Sequence, residues 1–550
     1  MNSSEVKVKS DDHLYSSQFD KLDLSMLDTS QQEEVRKMLW EERSVFAKDE
    51  DDIGCVPDLE LSLKTVDNIS VQKVYNAIPR AFFDEVKHHV QDLLNRGWIM
   101  ESKSAWSSPV VLVRKKDGGL RMCCDFRSLN AKTIPDKFPI PRIQETIDGL
   151  SGSKHFTTLD LTHAYYQGFV AEDSQEKTAF CTPWGLYSWK RIPFGLCNAP
   201  SVFQRHMENT LRDFRDDFCV PYIDDIIVYS KTFEEHIHHL QKVLKRLKDK
   251  GMKLKLEKCN FFKKKVEFLG RVVCENGYTM SDKSVQAVRE LAKVSPKNVG
   301  QVRQLLGLVN YHRRSIQDFA VLAKPISDLL LAENYAKEDT NKKKKTTHPP
   351  KKNNISSKTP IVWKQEHQEA LQTLIDHITN PPILAYPDFK EKFFLHTDAS
   401  GDGLGAILYQ RQEGKVRAIA YASRSLQKAE KKYHSTKLEF LALRWAITEQ
   451  FRDYLLSVDH FDVFTDNNPL LYIMQSSRLN ANGQRWVSEL SEFRFDIHYR
   501  PGIINKDADC LSRLPLDIEK YTELCSEDVS LNTFEALVAS VGTQQMFDET

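Results

Sequence analysis

The sequence predicts an α+β multidomain chain: strands and helices alternate irregularly up to a polar break, and a second, α/β unit follows it. Three observations carry that expectation. A chain of 550 residues with 41% apolar side chains exceeds what one core organises and points to three or four domains. Between residues 79 and 331, strand-length apolar runs alternate with helix-period segments without the regular repeat of a doubly wound sheet. Residues 334–359, with Lys342-Lys343-Lys344-Lys345 and His348-Pro349-Pro350-Lys351-Lys352, hold almost no apolar side chain and read as a solvated linker.

Taken in order, residues 1–75 form an acidic N-terminal extension with a weak helical pattern over 31–46 and the run Asp49-Glu50-Asp51-Asp52. An amphipathic helix over 81–95 precedes strands over 109–114 and 120–125, joined by the turn signal Lys116-Asp117-Gly118-Gly119. The first large region spans 76–275 and a helical one 276–333. His236, His238 and His239 lie in a polar helical stretch over 233–250, where solvated histidines are the better reading than a metal cluster. Beyond the linker, 360–514 begins with strand hairpins from Lys392, continues with a helix over 437–451, and ends in strand, helix and strand. Residues 515–550 are an acidic tail expected to be poorly ordered.

Formal net charge is zero, yet it is unevenly spread. Residues 1–70 carry about −9, residues 231–300 about +9, and the tail about −7. The basic region is where phosphate contacts are expected. No run of eighteen apolar residues occurs, which excludes a membrane span, and the first residues lack a signal-peptide core. The ten cysteines show no C-x-x-C pair, as expected of free thiols inside a cell. The lysine run also admits a nuclear-import reading, ranked second to a linker.

Two acid patterns point to chemistry. In Val220-Pro221-Tyr222-Ile223-Asp224-Asp225-Ile226-Ile227-Val228-Tyr229, apolar flanks put adjacent carboxylates at a hairpin tip. A second apolar strand, His155-Phe156-Thr157-Thr158-Leu159-Asp160, also ends in acid. Converging strand-end carboxylates are the hard oxygen ligands that a pair of Mg²⁺ ions requires, roughly 3.5–4 Å apart, to hold an attacking and a leaving oxygen. Past the linker, Asp398 sits in Phe393-Phe394-Leu395-His396-Thr397-Asp398, and Glu439 on a helix with Leu438, Leu441, Leu443 and Trp445. Asp466 ends Phe461-Asp462-Val463-Phe464-Thr465, and Asp509 lies in Ala508-Asp509-Cys510-Leu511-Ser512-Arg513. An acid on a packed helix needs a partner or a metal.

Tyr222-Ile223-Asp224-Asp225 resembles the signature box of reverse transcriptases, and Leu159-Asp160-Leu161-Thr162-His163-Ala164-Tyr165-Tyr166-Gln167 their first carboxylate motif. Pro193-Phe194-Gly195-Leu196-Cys197-Asn198-Ala199-Pro200-Ser201-Val202-Phe203-Gln204 is similar to the template- and nucleotide-contacting motif in its gypsy-type form. Trp106 to Val113 and Cys124-Asp125-Phe126-Arg127-Ser128-Leu129-Asn130 resemble the fingers. The order Asp–Glu–Asp–Asp resembles ribonuclease H, and Asn467 departs from a histidine common in that family. The resemblance, to the reverse transcriptase and ribonuclease H of gypsy-type long-terminal-repeat retrotransposons, covers residues 40–515.

That resemblance implies a right-hand polymerase, with fingers and palm at 76–275 and thumb/connection at 276–333, followed by a ribonuclease H-like domain. It implies metal ligation by Asp160, Asp224 and Asp225, and by Asp398, Glu439, Asp466 and Asp509, with two Mg²⁺ per site and Mn²⁺ as a substitute. Tyr165 and Phe194 would contact the nucleotide, Tyr165 as a gate against the 2′-hydroxyl. Lys115 and Arg121 would grip the triphosphate. Lys258 would protonate the leaving pyrophosphate, and Tyr222, Phe268, Leu269 and Gly270 would hold primer and template. Arg313 and Arg314 match the region that holds the duplex, though a solvated face explains them equally. The implied partners are RNA template, DNA primer, RNA–DNA hybrid, deoxynucleotides, and the protease and integrase of the same element, in a cytoplasmic particle or the nucleus. Asp28-Thr29-Ser30 lacks the frame of a protease loop, and no integrase zinc set follows Leu514. The alternative class is an inert relic that binds nucleic acid without catalysis; the intact acid set favours the enzyme.

Overall fold

The computed structural model describes residues 13–114, 120–292, 295–331, 355–379, 383–467, 469–470 and 481–499. It resolves into two compact units, Met1–Leu269 with Val273–Glu275, and Gly270–Val272 with Asn276–Thr550.

In the first unit a four-stranded sheet runs in the order Asn260–Lys263, His155–Asp160, Asp225–Ser230, Cys219–Tyr222. Phe156, Leu159, Ile226 and Val228 are buried, as central strands between layers require. Helix Phe233–Asp249 packs on this sheet through Phe233, His236, Leu240, Val243, Leu244 and Leu247, spaced at helical period. A Thr232/Glu235 capping box starts it, and Arg246 and Lys248 complement the dipole in its last turn. A five-stranded sheet, in the order Ile99–Glu101, Gly185–Trp189, Phe180–Thr182, Ser108–Arg114, Leu120–Cys124, contains the strand pair expected from the sequence. The turn between that pair, Lys115 included, lies outside the described residues.

The histidine stretch departs from expectation. His236 is fully buried, its Nε2 lying 2.8 Å from Thr157 Oγ1 and its Nδ1 2.9 Å from Ser230 Oγ. Burial pushes its pKa down to about 3, so a neutral ring ties the helix to two strands of the sheet. His239 stacks on Phe218 at 3.9 Å, and only His238 is exposed. A polar sequence neighbourhood concealed one inward-facing stripe of the helix.

The acidic N-terminal segment also differs from a mere extension. Asp28 caps helix Thr29–Glu41 through a capping box with Gln31, and Val35, Met38 and Leu39 are buried. Phe19 meets Trp40 and Phe46 edge-on, while Phe46 is fully buried in the first unit's core. Net charge described the solvent face alone.

The second unit centres on a five-stranded sheet in the order Lys415–Ser425, Gly403–Gln412, Phe393–Ala399, Phe461–Thr465, Phe495–Tyr499. The first three strands are antiparallel and the last two join in parallel. Helix Ser435–Trp445 packs Leu438, Phe440, Leu441, Leu443 and Trp445 into its core. Helices Val299–Tyr311 and Gln365–Thr379 share a second cluster around Val302, Leu305, Leu371 and Leu374. Arg313 and Arg314 are neither fully solvated nor free here: Arg313 donates to the Ser423 carbonyl at 3.4 Å, and Arg314 to the Tyr454 hydroxyl at 3.5 Å. Among the described residues no helix is long and apolar enough to cross a membrane, and the eight described cysteines are free thiols.

Candidate active sites

In the first unit the antiparallel ladder sets Asp225 directly opposite Asp160, so their side chains share one face. Tyr222 pairs with Asp225, leaving Ile223 and Asp224 as a two-residue hairpin turn with Ile223 at φ 52°. A β-branched residue at positive φ is strained and needs support. Gln204, fully buried on helix Ala199–Thr210, supplies it: its amide donates to the Pro221 carbonyl at 3.0 Å and accepts from the Ile223 N–H at 2.6 Å. Sequence reasoning placed Gln204 in a motif but missed this role, which depends on a contact seventeen to nineteen residues away.

Desolvation raises the Asp224 pKa to about 6, with Asp225 and Asp160 adding repulsion and Lys258 opposing it. Asp225 is raised too, by partial desolvation first and Asp160 second, although it is exposed along one edge. Asp224 Oδ1 is buried with no hydrogen-bond partner among the described residues. An orphaned buried carboxylate oxygen beside two further acids suits a divalent cation. The three acids do not offer one oxygen each within 4.8 Å of the others, as the nuclease acids do. Lys258 occupies part of that space, donating to Asp160 Oδ1 and Oδ2 at 3.1 Å each. The backbone brings it there: Lys255 N–H donates to the Asp160 carbonyl at 2.9 Å, so the turn Leu256–Lys258 folds over the strand end.

Tyr165 sits beside this cluster. Its ring meets Phe194 at 5.3 Å and Phe203 at 5.4 Å, both edge-on, and burial followed by Asp224 drives its hydroxyl pKa upward. Phe194 is 45% exposed and Phe203 1%, so Tyr165 is braced from the core and open toward solvent. Asn130 holds the Phe194 loop, donating to the Gly195 carbonyl at 2.8 Å and accepting from Cys197 N–H at 3.0 Å. Arg121 lies on strand Leu120–Cys124, paired with Val113; its side chain is outside the described residues. Phe268 is 3% exposed, and Leu269 and Gly270, at φ 49° and 72°, form the turn that follows it.

The second centre lies at one end of the other unit's sheet. Asp398 is in strand Phe393–Ala399, Asp466 follows strand Phe461–Thr465, and these strands are parallel neighbours. Glu439 reaches them from helix Ser435–Trp445, with oxygens of the three within 4.8 Å of one another. Asp398 and Asp466 are exposed, whereas Glu439 is 6% exposed. Ala399 N–H donates to Glu439 Oε1 at 3.1 Å, and Oε2 has no partner among the described residues. Burial, then Asp398 and Asp466, push the Glu439 pKa up to about 8. Three convergent oxygens, one of them orphaned, fit a hard divalent cation. Asp509 lies outside the described residues. Asn467 bonds its N–H to Thr465 Oγ1 at 3.1 Å and leaves the trio untouched.

Comparison with known proteins follows the same division into two units. A model of reverse transcriptase (RNA-dependent DNA polymerase) matches residues 113–273, and one of the RNase H-like domain found in reverse transcriptase matches residues 363–463. The chain is 37% identical over 443 residues to the retrovirus-related Pol polyprotein from transposon opus of Drosophila melanogaster, covering 80% of this chain and 42% of that one. It is 37% identical to that of transposon gypsy of the same fly (83% and 43%), and 36% identical to that of transposon 297 (92% and 45%). A foamy viral protease-reverse transcriptase, solved with double-stranded DNA, shares the fold at TM-score 0.73 and 20% identity, over 89% of this chain and 81% of that one. The fold and the two matched domains define a reverse transcriptase joined to a ribonuclease H-like domain. Over that portion the chain is similar to the gypsy-type retrotransposon Pol polyproteins, and it spans less than half the length of the curated relatives it matches.

Proposed function

We propose that the chain copies RNA, and then DNA, into DNA at the Asp160/Asp224/Asp225 centre, and hydrolyses the RNA of the resulting hybrid at the Asp398/Glu439/Asp466 centre. The observation that carries this reading is that each unit sets one buried carboxylate, Asp224 in the first and Glu439 in the second, beside further acids, so that burial and those neighbours raise its pKa. Asp160, Asp224 and Asp225 would hold divalent cations, Mg²⁺ by donor chemistry, in the first unit; Asp398, Glu439 and Asp466, with Asp509, would hold them in the second. Such cations neutralise charge on phosphate oxygens and activate the attacking oxygen.

The chain's own groups supply the rest. Gln204 fixes the hairpin turn that carries Asp224, so the carboxylate pair is set before substrate arrives. The Tyr165 ring, braced by Phe203 and Phe194, stands where a 2′-hydroxyl on the incoming sugar would collide with it. Lys258 moves from Asp160 to the leaving pyrophosphate and donates a proton to it. Leu269 and Gly270 present backbone to the primer, with Tyr222 beside the paired acids. Lys115 and Arg121 grip the triphosphate from the fingers hairpin. RNA template, DNA primer, the hybrid and deoxynucleotides are the partners of this reading, with protease and integrase of the same element beside it. An inert relic would bind nucleic acid without either reaction. Primer extension on poly(A)/oligo(dT) by the purified chain decides between them: metal-dependent incorporation of dTTP supports the proposal, and binding without incorporation supports the relic.

A further inference from the structure

A second cluster of metal-ligating side chains lies at the opposite end of the strand that leads to Asp466. In the parallel register, Asp462 stands beside Asp496 and Phe464 beside His498, so these side chains share one face of the sheet's edge pair. His460 precedes Asp462 by two residues and takes the same face. The ligand atoms of His460, Asp462 and Asp496 all lie within 4.8 Å of one another. His460 Nε2 is 3.1 Å from Asp496 Oδ2, and His498 Nε2 is 3.3 Å from Asp462 Oδ1. Atoms bound 2.0–2.1 Å from a tetrahedral zinc ion are separated by roughly 3.3 Å, close to the His460–Asp496 and His498–Asp462 separations, while His460 Nδ1 lies 4.0 Å from Asp462 Oδ1.

Charge points the same way. Asp462 gives its Oδ2 to Lys392 at 2.7 Å, and this leaves Oδ1 toward the histidines. Two carboxylates against one ammonium leave the cluster negative when both imidazoles are neutral. Asp462 is the buried member, with its side chain 13% exposed, while His460, His498 and Asp496 remain accessible to an arriving ion. Beside them on the same face the Phe464 ring lies 5.3 Å from the His498 ring and 5.0 Å from that of His396, so His498 packs against an aromatic neighbour. Four residues separate Asp462 from Asp466, roughly 13 Å along a strand, so this cluster shares no ligand with the nuclease trio.

We propose that His460, Asp462 and Asp496 bind one transition-metal ion of the Zn²⁺ class, with His498 orienting Asp462, pinning the edge strand Phe495–Tyr499 to its neighbour. An imidazole nitrogen beside two carboxylates suits Zn²⁺ and its neighbours, whereas Mg²⁺ keeps to oxygen. The ion would be structural, and its binding needs neither catalytic centre.

The test is equilibrium dialysis of the full chain, carrying no oligohistidine tag, against Zn²⁺ in excess Mg²⁺, read by atomic absorption. The expected result is one tightly held zinc per chain, retained by the Asp398→Asn/Glu439→Gln/Asp466→Asn variant. His460→Ala and His498→Ala should each weaken uptake by at least about tenfold, a loss of the order that even indirect support of a metal site produces. Asp496→Asn, conservative in shape and 69% exposed, should weaken it without a folding effect, and the exposed His238→Ala should not. Co²⁺ in place of Zn²⁺ should give the visible absorption of a four-coordinate site in the wild type and in the nuclease triple variant, and not in His460→Ala. No zinc bound by the wild type, uptake unchanged in both histidine variants, or zinc lost with the nuclease trio would each overturn the proposal; the pairs would then be ordinary imidazole–carboxylate hydrogen bonds.

Discussion

Lys258 donates to both carboxylate oxygens of Asp160, at 3.1 Å each, in the place where Asp160 faces Asp225 across the ladder. The contact keeps an ammonium within reach of reacting phosphates and shields one acid while the others are strained. For Asp160 to take a cation, the lysine must swing away, and the pyrophosphate is the anion that would receive it. Lys258→Ala should therefore cut single-turnover nucleotide incorporation by about 10²–10⁴-fold, the range for a lost general acid. Primer–template affinity should change little. An unaltered incorporation rate would remove the proton-donor role.

Tyr165 is held on two sides by aromatic rings, so its position does not depend on substrate. Tyr165→Ala should relax discrimination between deoxy- and ribonucleotides by roughly 10- to 200-fold, the scale of a small change in pocket size. Competing dTTP and UTP on one primed template measures it. Equal selectivity in the variant would assign Tyr165 to the core instead.

Glu439 titrates near 8 against an ordinary 4.5. Between those values the metal-free folded state holds a proton that the unfolded chain has lost, so stability falls as pH rises across the window. In EDTA, Glu439→Gln should raise Tm more at pH 8 than at pH 5, and Mg²⁺ should recover stability in the wild type at pH 8 by binding the ionised form. Parallel melting curves for the two proteins at both pH values would contradict the assigned shift.

Gln204→Leu keeps the volume of a buried side chain while stranding the Ile223 N–H and the Pro221 carbonyl. Each unsatisfied group costs about 1–3 kcal/mol, measurable by urea denaturation. Primer extension should fall, because the turn bearing Asp224 loosens, while cleavage of RNA in a hybrid stays at the wild-type rate. Loss of both activities would show a general folding defect rather than a local support.

Much of this was legible in the sequence where local pattern and tertiary demand coincide. The strand His155–Asp160 and the helix around Glu439 fell where alternation and helical period put them. Long-range contacts left no such trace. Nothing near Gln204 announces a partner at Ile223, and nothing in a run of charged residues announces that His236 turns inward to meet Thr157. In residues 13–75, capping and a buried stripe of Val35, Met38 and Leu39 carry a helix whose period the sequence showed only weakly. Phe268, named from its motif, is buried because its strand alternates inward there, which the motif alone did not announce. Lys115 and Asp509, named from motif alone, lie outside the described residues.

The central claim is that each unit houses its own carboxylate centre with its own chemistry. Asp224→Asn/Asp225→Asn and Glu439→Gln variants, each given a DNA primer on a labelled RNA template with Mg²⁺, test it in one assay that follows both primer length and template integrity. The first variant should leave the primer unextended while RNA in a preformed hybrid is still cut, and the second should extend the primer while the RNA stays whole. Loss of both activities in either variant would contradict two independent centres.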